Sequence, residues 1–334
     1  MSTNRPRLDE VAREAGVSRS TASRAINGGS RVSPAAQFAV DEAVKRLGFT
    51  PNPMARALAT SQAGSIALVI PEPDEKFLSD PFLTGVLRGM SGALEDRDLQ
   101  LILLIATRNR SPERMSRYLR GGHVDGAIVT SLHRGDMIED HVRGHLPAVF
   151  IGRPFNDTAL TYVDVDNVTG GRLATEALIT AGRTHIGTIA GRDDMTASLD
   201  RLEGWRRALR AAGLPDDAVE KGDFTMQGAE EATIRLLSRF PETDAIFVAS
   251  DTMAIGVRRA LDVAGKRVPA DVALVGYDNL GMAESMTPTL TTINNPLVQM
   301  VDTATRMLLD LIADPSMPAR QRVLVPTLVR GQSV

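Results

Sequence analysis

Between Ser18 and Asn27 the chain reads SRSTASRAIN, and this short stretch gathers groups suited to contacting DNA. Arg19 and Arg24 supply guanidinium donors, and Ser20, Thr21, Ser23 and Asn27 supply short hydroxyl and amide groups. Arginine matches guanine edges and phosphates with a two-pronged donor, and short polar side chains reach base edges from a helix lying in the major groove. Residues 1–60 hold nine Lys/Arg against five Asp/Glu, net +4, whereas the rest holds 29 against 36, net −7. A basic head on an acidic body points to a polyanion partner for the head alone.

Other chemistries are poorly provided for. The 334 residues contain no cysteine, which removes disulfides, thiolate zinc sites, iron–sulfur clusters and cysteine nucleophiles together. The five histidines, at 123, 133, 141, 145 and 185, show no metal-ligand spacing, and there is no phosphate loop of the G-x-x-x-x-G-K-S/T type. No cofactor and no metal are expected. Carboxylates are plentiful enough for a glycosidase pair, so an enzyme stays as an alternative, as does a transport solute-binding protein. Against the latter, the N-terminus MSTNRPRLDEVAREAG lacks a signal-peptide core. No apolar run approaches the ~20 residues of a membrane span. A cytoplasmic protein is expected.

The elements that position these groups follow from local signals. LDEVAREAG places Val11, Ala12 and Ala15 at helical spacing, with Asp9 as the expected N-cap and Gly16 as the stop. Ser18 caps a second helix, in which Ala22, Ala25 and Ile26 form the packing side and Asn27 closes the run. Ser33 caps a third, with Pro34 at the first helical position, running to Leu47-Gly48. Two helices joined by a three-residue turn make a helix-turn-helix. Asn52 and Pro53 then open a helix of about eight residues, too short to be stable alone and so suited to order–disorder switching.

Beyond residue 62 the pattern changes. Apolar runs at 65–71, 99–106, 126–131, 148–153, 185–191, 245–250 and 272–278 alternate with helical stretches. Continuously apolar strands separated by helices predict an α/β fold with parallel sheets covered on both faces. Ligands of such sheets sit beyond the carboxyl ends of the strands. That points to Pro71–Phe82, Thr130–Arg134, Gly152–Pro154, Gly191–Arg201, Ser250–Asp251 and Asp278.

LDEVAREAGVSRSTASRAING, followed by RVSP and LGFTPNPMARALAT, resembles the head of the LacI/GalR (lactose-repressor) family of bacterial transcription regulators. The resemblance continues from Gly64 through the body. It implies a repressor that binds a palindromic double-stranded operator as a homodimer and is released by a small sugar. Helix Ser18–Asn27 would enter the major groove, with Arg24 where many members read a guanine and Arg19 and Ser20 where members differ. The hinge Pro53–Thr60, carrying Arg56, would fold on docking and wedge Leu58 into the minor groove. The implied domains are 1–50 for the head, 51–61 for the hinge and 62–334 for a two-lobed sensor like a periplasmic binding protein. Its lobes would span about 62–162 with 293–323, and 164–291 with 325–334, crossing over near Tyr162–Asp166, Thr291–Asn295 and Val323–Thr327. No heptad repeat closes the sequence, so a dimer is expected rather than a tetramer.

Carried over residue by residue, the resemblance assigns Phe82, Asp166, Arg201, Phe224 and Asp278 to the effector site; Ser250 after a strand, Asn295 at the third crossover, and Asp80, which could instead cap a helix, complete the candidate set. Arg201 and Asp278 would grip sugar hydroxyls, and Phe82 and Phe224 would stack on a ring. Asp251 is expected to cap a helix, Trp205 to lie in the core, and His133 to be solvated at the cleft rim. VDGAIVTSLHRGD, YVDVDN, IAGRDDMTASLDRLEGW and GDFT resemble more narrowly the cellobiose-responsive repressors of high-GC bacteria. Arginine supplies 34 of the 38 basic residues, in keeping with such a genome. Whether ligand releases or promotes operator binding stays open in the sequence.

Overall fold

The computed structural model describes residues 6–27, 32–50, 62–105, 112–136, 138–155 and 160–334. The chain divides into two units, Met1–Gly64 and Ser65–Val334.

The first unit holds helices α1 (Leu8–Glu14), α2 (Arg19–Ile26) and α3 (Pro34–Leu47). Small buried residues, Ala12, Ala22, Ala25 and Ala43, let the helices approach closely around Val11 and Val40. Ser18 Oγ accepts from Thr21 N at 3.1 Å, and Ser33 Oγ accepts from Ala36 N at 3.2 Å. Gly48, at φ +61°, closes α3 in the left-handed conformation. Asp9 is not the first cap. Leu8 packs on the core and must already be helical, so the cap moves back to Arg7, whose N–H donates to Glu10 Oε2 at 2.8 Å. Asp9 pairs instead with Arg19, 3.1 Å away.

The second unit is built on two six-stranded sheets. Its strands are β1 (Ser65–Ile70), β2 (Gln100–Ile105), β3 (Gly126–Thr130), β4 (Ala148–Ile151), β5 (Tyr162–Val165), β6 (Ile186–Ala190), β7 (Val219–Lys221), β8 (Ala245–Val248), β9 (Ala273–Asp278), β10 (Thr291–Asn294), β11 (Gln321–Leu324) and β12 (Thr327–Val329). Lobe 1 carries the order β11-β5-β4-β3-β1-β2, parallel throughout. Lobe 2 carries β12-β10-β9-β8-β6-β7, parallel except for β12 against β10. The fold is therefore α/β, as the apolar runs predict. In β1, Ile66, Leu68 and Ile70 enter one core while Ala67 and Val69 enter the other, which is why the strand reads as unbroken apolar sequence. Segments read from sequence as crossovers are themselves partly strands: β5, β10 and β11 lie in them. The chain passes between lobes three times, after β5, after β10 and between β11 and β12.

Helices α4 (Asp74–Ser79), α5 (Pro81–Ala93), α6 (Pro112–Arg120), α7 (Ile138–Val142) and α13 (Leu297–Ala313) belong to lobe 1. Helices α8 (Asn167–Thr180), α9 (Thr196–Ala211), α10 (Met226–Arg239), α11 (Asp251–Val263) and α12 (Met282–Ser285) belong to lobe 2. Trp205 on α9 is fully buried. Helices α8 and α9 cross on glycines: a Cβ at Gly171 would overlap the Arg201 carbonyl, and one at Gly204 would overlap the Val168 carbonyl. This close crossing fixes where Arg201 starts.

Candidate functional site

In the first unit, Ser18, Arg19, Ser20 and Arg24 are exposed, while Thr21, Ser23 and Asn27 are half-buried. Arg24 Nε donates to the Ser20 carbonyl at 3.2 Å, which lays the guanidinium along α2. Ser18 Oγ lies 2.9 Å from Ser20 Oγ and 2.8 Å from Thr21 Oγ1, so the start of α2 is one hydroxyl cluster. The helix thus presents two arginines and several hydroxyls on the surface expected of a groove-reading helix. Arg56 and Leu58 lie outside the described residues.

In the second unit the carboxyl ends of both sheets open onto one cavity of about 840 Å³, partly continuous with solvent. Every segment singled out from the strand ends reaches it. Asp80 and Phe82 come from the segment after β1, Arg201 from α9, Phe224 from the loop after β7, Ser250 from the end of β8, Asp278 from the end of β9, and Asn295 from beyond β10.

Arg201 is the centre of the polar floor. Its Nε donates to Asn167 Oδ1 at 2.9 Å and its Nη1 to the Ala249 carbonyl at 2.5 Å. The guanidinium lies 3.6 Å from the Tyr277 ring centroid and 3.5 Å from Asp278 Oδ1. Asn167 also donates to Asp164 Oδ1 at 3.3 Å. A hydrogen-bonded chain therefore runs Asp164–Asn167–Arg201, with Asp278 and Asn295 beyond. The Asn295 amide bonds to Asp278, while its oxygen is buried without a protein partner among the described residues. A buried unpaired acceptor in a cavity wall is costly unless something donates to it.

Burial pushes Asp278 up to about 8, with Arg201 pulling down and Asp251 and Asp80 adding to the rise. Burial likewise raises Asp164 to about 6, against the hydrogen bond from Val165 N. Asp80 is raised too, mainly by burial, while it caps α5 by accepting from Phe82 N at 2.9 Å. Three cavity residues other than glycine hold positive φ: Ser131 at +57°, Phe224 at +67° and Asp278 at +115°. Such backbone costs about 1–3 kcal/mol per residue and persists where the surroundings impose it, most often at binding sites.

Three residues are placed differently from expectation. Asp166 does not line the cavity: it caps α8, accepting from Thr169 N at 2.9 Å and Thr169 Oγ1 at 2.7 Å. The helix begins one residue later, so the side chain turns back onto its first turn, and Asp164 takes the cavity wall. Asp251 does not cap α11; Ser250, which also lines the cavity, does. Ser250, extended at φ −155°, accepts from Met253 N at 3.2 Å. Asp251 is buried, accepting from Thr292 Oγ1 at 2.6 Å and Asn279 N at 2.8 Å, and burial raises it to about 6. His133 is buried rather than solvated, between Glu72 and Asp194.

Residue-level reading of the sequence misses Lys76, Ser131, Arg153, Asp164 and Thr196, all of which line the cavity. Their signal was positional, since most fall in the strand-end segments. Among the described residues no cluster of His, Asp and Glu is arranged to hold a metal, and no helix is long and apolar enough to cross a membrane.

Residues 7–52 match the family of bacterial regulatory proteins, lacI family, and residues 158–334 match the periplasmic binding protein-like domain. The HTH-type transcriptional regulator CelR of Thermobifida fusca is 42% identical, with 98% of each chain covered. A solved structure described as a transcriptional regulator CelR–cellobiose complex superposes with a TM-score of 0.79 at 40% identity, covering 99% of this chain and 100% of that one. A lac repressor dimer bound to operator and the anti-inducer ONPF superposes with a TM-score of 0.86 at 26% identity, covering 99% of both.

Proposed function

The chain belongs to the LacI family of bacterial regulatory proteins, and on that premise we propose that it represses carbohydrate-utilisation genes until a cello-oligosaccharide, cellobiose in the first instance, enters its cleft. The observation that carries the sugar assignment is the floor Arg201–Asp278–Asn295 with its unpaired amide oxygen, in a cavity also lined by Phe82 and Phe224. Sugar hydroxyls donate and accept in adjacent pairs, and sugar rings offer C–H faces to aromatics. The resemblance to a cellobiose-bound relative supports the choice among sugars.

Helix α2 reads a palindromic operator from a two-fold dimer, with Arg19, Ser20, Thr21, Ser23, Arg24 and Asn27 as the contact set. A protein with this task works in the cytoplasm and performs no catalysis. Sugar closes the cleft, and the two ligands oppose each other by one shared factor, commonly 1–3 kcal/mol.

Calorimetric titration with cellobiose, cellotriose, maltose, xylobiose and lactose tests the assignment, alongside anisotropy on a palindromic duplex. We expect cellobiose or cellotriose to bind and to lower duplex affinity. Saturation at 100 times the dissociation constant adds about 2.7 kcal/mol to native stability. Binding by maltose or xylobiose alone would move the regulon to another sugar. Binding by none of the panel would overturn the sugar reading.

A further inference from the structure

The segment after β1, the loop after β3 and the loop after β6 meet at His133, which is 4% exposed. Its Nε2 lies 2.9 Å from Glu72 Oε1, and its Nδ1 lies 3.0 Å from Asp194 Oδ1. Glu72 and His133 belong to lobe 1, and Asp194 belongs to lobe 2. The single ring therefore joins the two lobes beside the cavity, whose wall includes the neighbouring Lys76, Ser131 and Leu132.

Both partners are ionised acceptors. Burial works against Glu72, yet hydrogen bonds from His133, Lys76 and Ser131 hold it down at about 2. Arg192 holds Asp194 well below the usual carboxylate range, through donations at 2.9 and 2.8 Å. With an acceptor on each side, both contacts are made only when both ring nitrogens donate, which is the imidazolium form. A neutral ring has one N–H and turns a lone pair toward the other carboxylate.

Other contacts join the lobes nearby. Arg134 N donates to the Asp194 carbonyl at 2.7 Å, Arg153 donates to both Asp200 oxygens at 2.9 and 2.7 Å, and Thr196 Oγ1 donates to the Arg153 carbonyl at 2.6 Å. Of these four links, the histidine bridge is the one made by an imidazole, the group that changes charge near neutral pH. Among the described residues the charged groups around it are Glu72 and Lys76 after β1, Asp136 in its own loop, and Arg192 and Asp194 across the cleft, while the Arg134 guanidinium lies over the Phe155 ring.

We propose that His133 is a positioning residue for cleft closure: as imidazolium it ties Glu72 of lobe 1 to Asp194 of lobe 2, and so sets how tightly the lobes close on a ligand. For the ligand itself this rests on the sugar reading above. Loss of the ring proton breaks one of the two bonds and loosens the lobes.

The test uses the full chain. It has no native cysteine, so Leu78→Cys on α4 and Gln227→Cys on α10, both exposed and on opposite lobes, take spin labels cleanly. Pulsed electron–electron resonance reads the interlobe distance between about pH 5 and 8. We expect the distribution in the otherwise unaltered chain to shift toward open as pH rises, and the shift to vanish in His133→Gln. Asp164, Asp251 and Asp278 titrate equally in both, so the difference reports the ring. Asp194→Asn, which keeps the Arg134 contact to its carbonyl, serves as the second variant and should also flatten the response. Over the same range, cellobiose affinity relative to His133→Gln should fall about tenfold, the loss of one charge-assisted hydrogen bond. A distance that ignores pH, or that responds in His133→Gln and Asp194→Asn as it does in the otherwise unaltered chain, overturns the proposal. A pH-dependent distance with no cellobiose binding leaves the latch standing and removes the sugar reading instead.

Discussion

Asp278→Asn separates what the cleft needs for folding from what it needs for binding. The native carboxyl is pushed up to about 8 by burial, whereas an aspartate in an unfolded chain titrates near 3.9. Between those values the native state holds a proton that the unfolded state has released. A raised carboxyl thus contributes fully below the unfolded value, and the contribution is lost as pH climbs toward the folded one. The slope is about 1.4 kcal/mol per pH unit. From about pH 5 to pH 7 that is on the order of 2–3 kcal/mol, or roughly 5–10 °C in Tm for a unit of this size. Asparagine is a neutral isostere and removes this slope. Differential scanning fluorimetry of both proteins across that range should show the variant gaining on the parent with each step upward. Asp164 and Asp251 contribute equally to both and cancel. Sugar affinity should meanwhile fall by about 0.5–1.5 kcal/mol, the net worth of a hydrogen bond to a neutral carboxyl. Parallel Tm curves for the two proteins would refute the linkage argument. Unchanged sugar affinity would remove Asp278 from the site.

Arg201→Ala strips the bonds to Asn167 and the Ala249 carbonyl and uncovers Tyr277; we expect a loss of about 3–5 kcal/mol from the sensor and no response to sugar, with operator binding retained below the new Tm, all readable by scanning fluorimetry and anisotropy. Gly171→Ala should lower Tm through about 1–3 kcal/mol of overpacking at the α8–α9 crossing, while Gly92→Ala, with no heavy atom within 4 Å of the added Cβ, should not; equal effects would refute the seating of Arg201. Arg24→Ala should weaken specific operator binding by about 1–3 kcal/mol without moving the Tm of the sensor, and equal loss on random duplex would show a phosphate contact rather than a base contact.

What can be read directly from the sequence depends on how local the cause is. Ser18 and Ser33 are legible because a cap and its N–H lie three residues apart. The strands of the body are legible because both faces are covered, so Ile66 through Ile70 form one apolar run. Strand β11 hides because Gln321, Arg322 and Val323 are exposed, so the segment carries no apolar run to mark it as a strand. Asp164 and Asp166 sit two apart in YVDVDN, and nothing local says that the helix starts at Asn167. Asp251 is drawn inward by Thr292, 41 residues away, and His133 by Asp194, 61 away. Those partners exist only once both sheets are assembled. The resemblance places Arg201 and Asp278, both of which line the cavity, because it carries positions rather than pairings; His133 is read only from its place beyond a strand, where a histidine is ordinarily solvated.

The three passages between the lobes also set the order in which the molecule can be completed as it is made. Helix α13 and strand β11 belong to lobe 1 but follow all but one strand of lobe 2. Until they leave the ribosome, Leu83, Val86 and Met90 lack Leu297, Val301 and Leu308 as packing partners. Lobe 2 waits longer still, for β12 and for Ser333, which accepts from Thr291 N at 2.8 Å and donates to the Leu274 carbonyl at 2.6 Å. The head core, from Val11 to Ala43, is complete within the first fifty residues. Evolution or an engineer can therefore exchange the head at a single seam, whereas exchanging one lobe requires three cuts that must all agree.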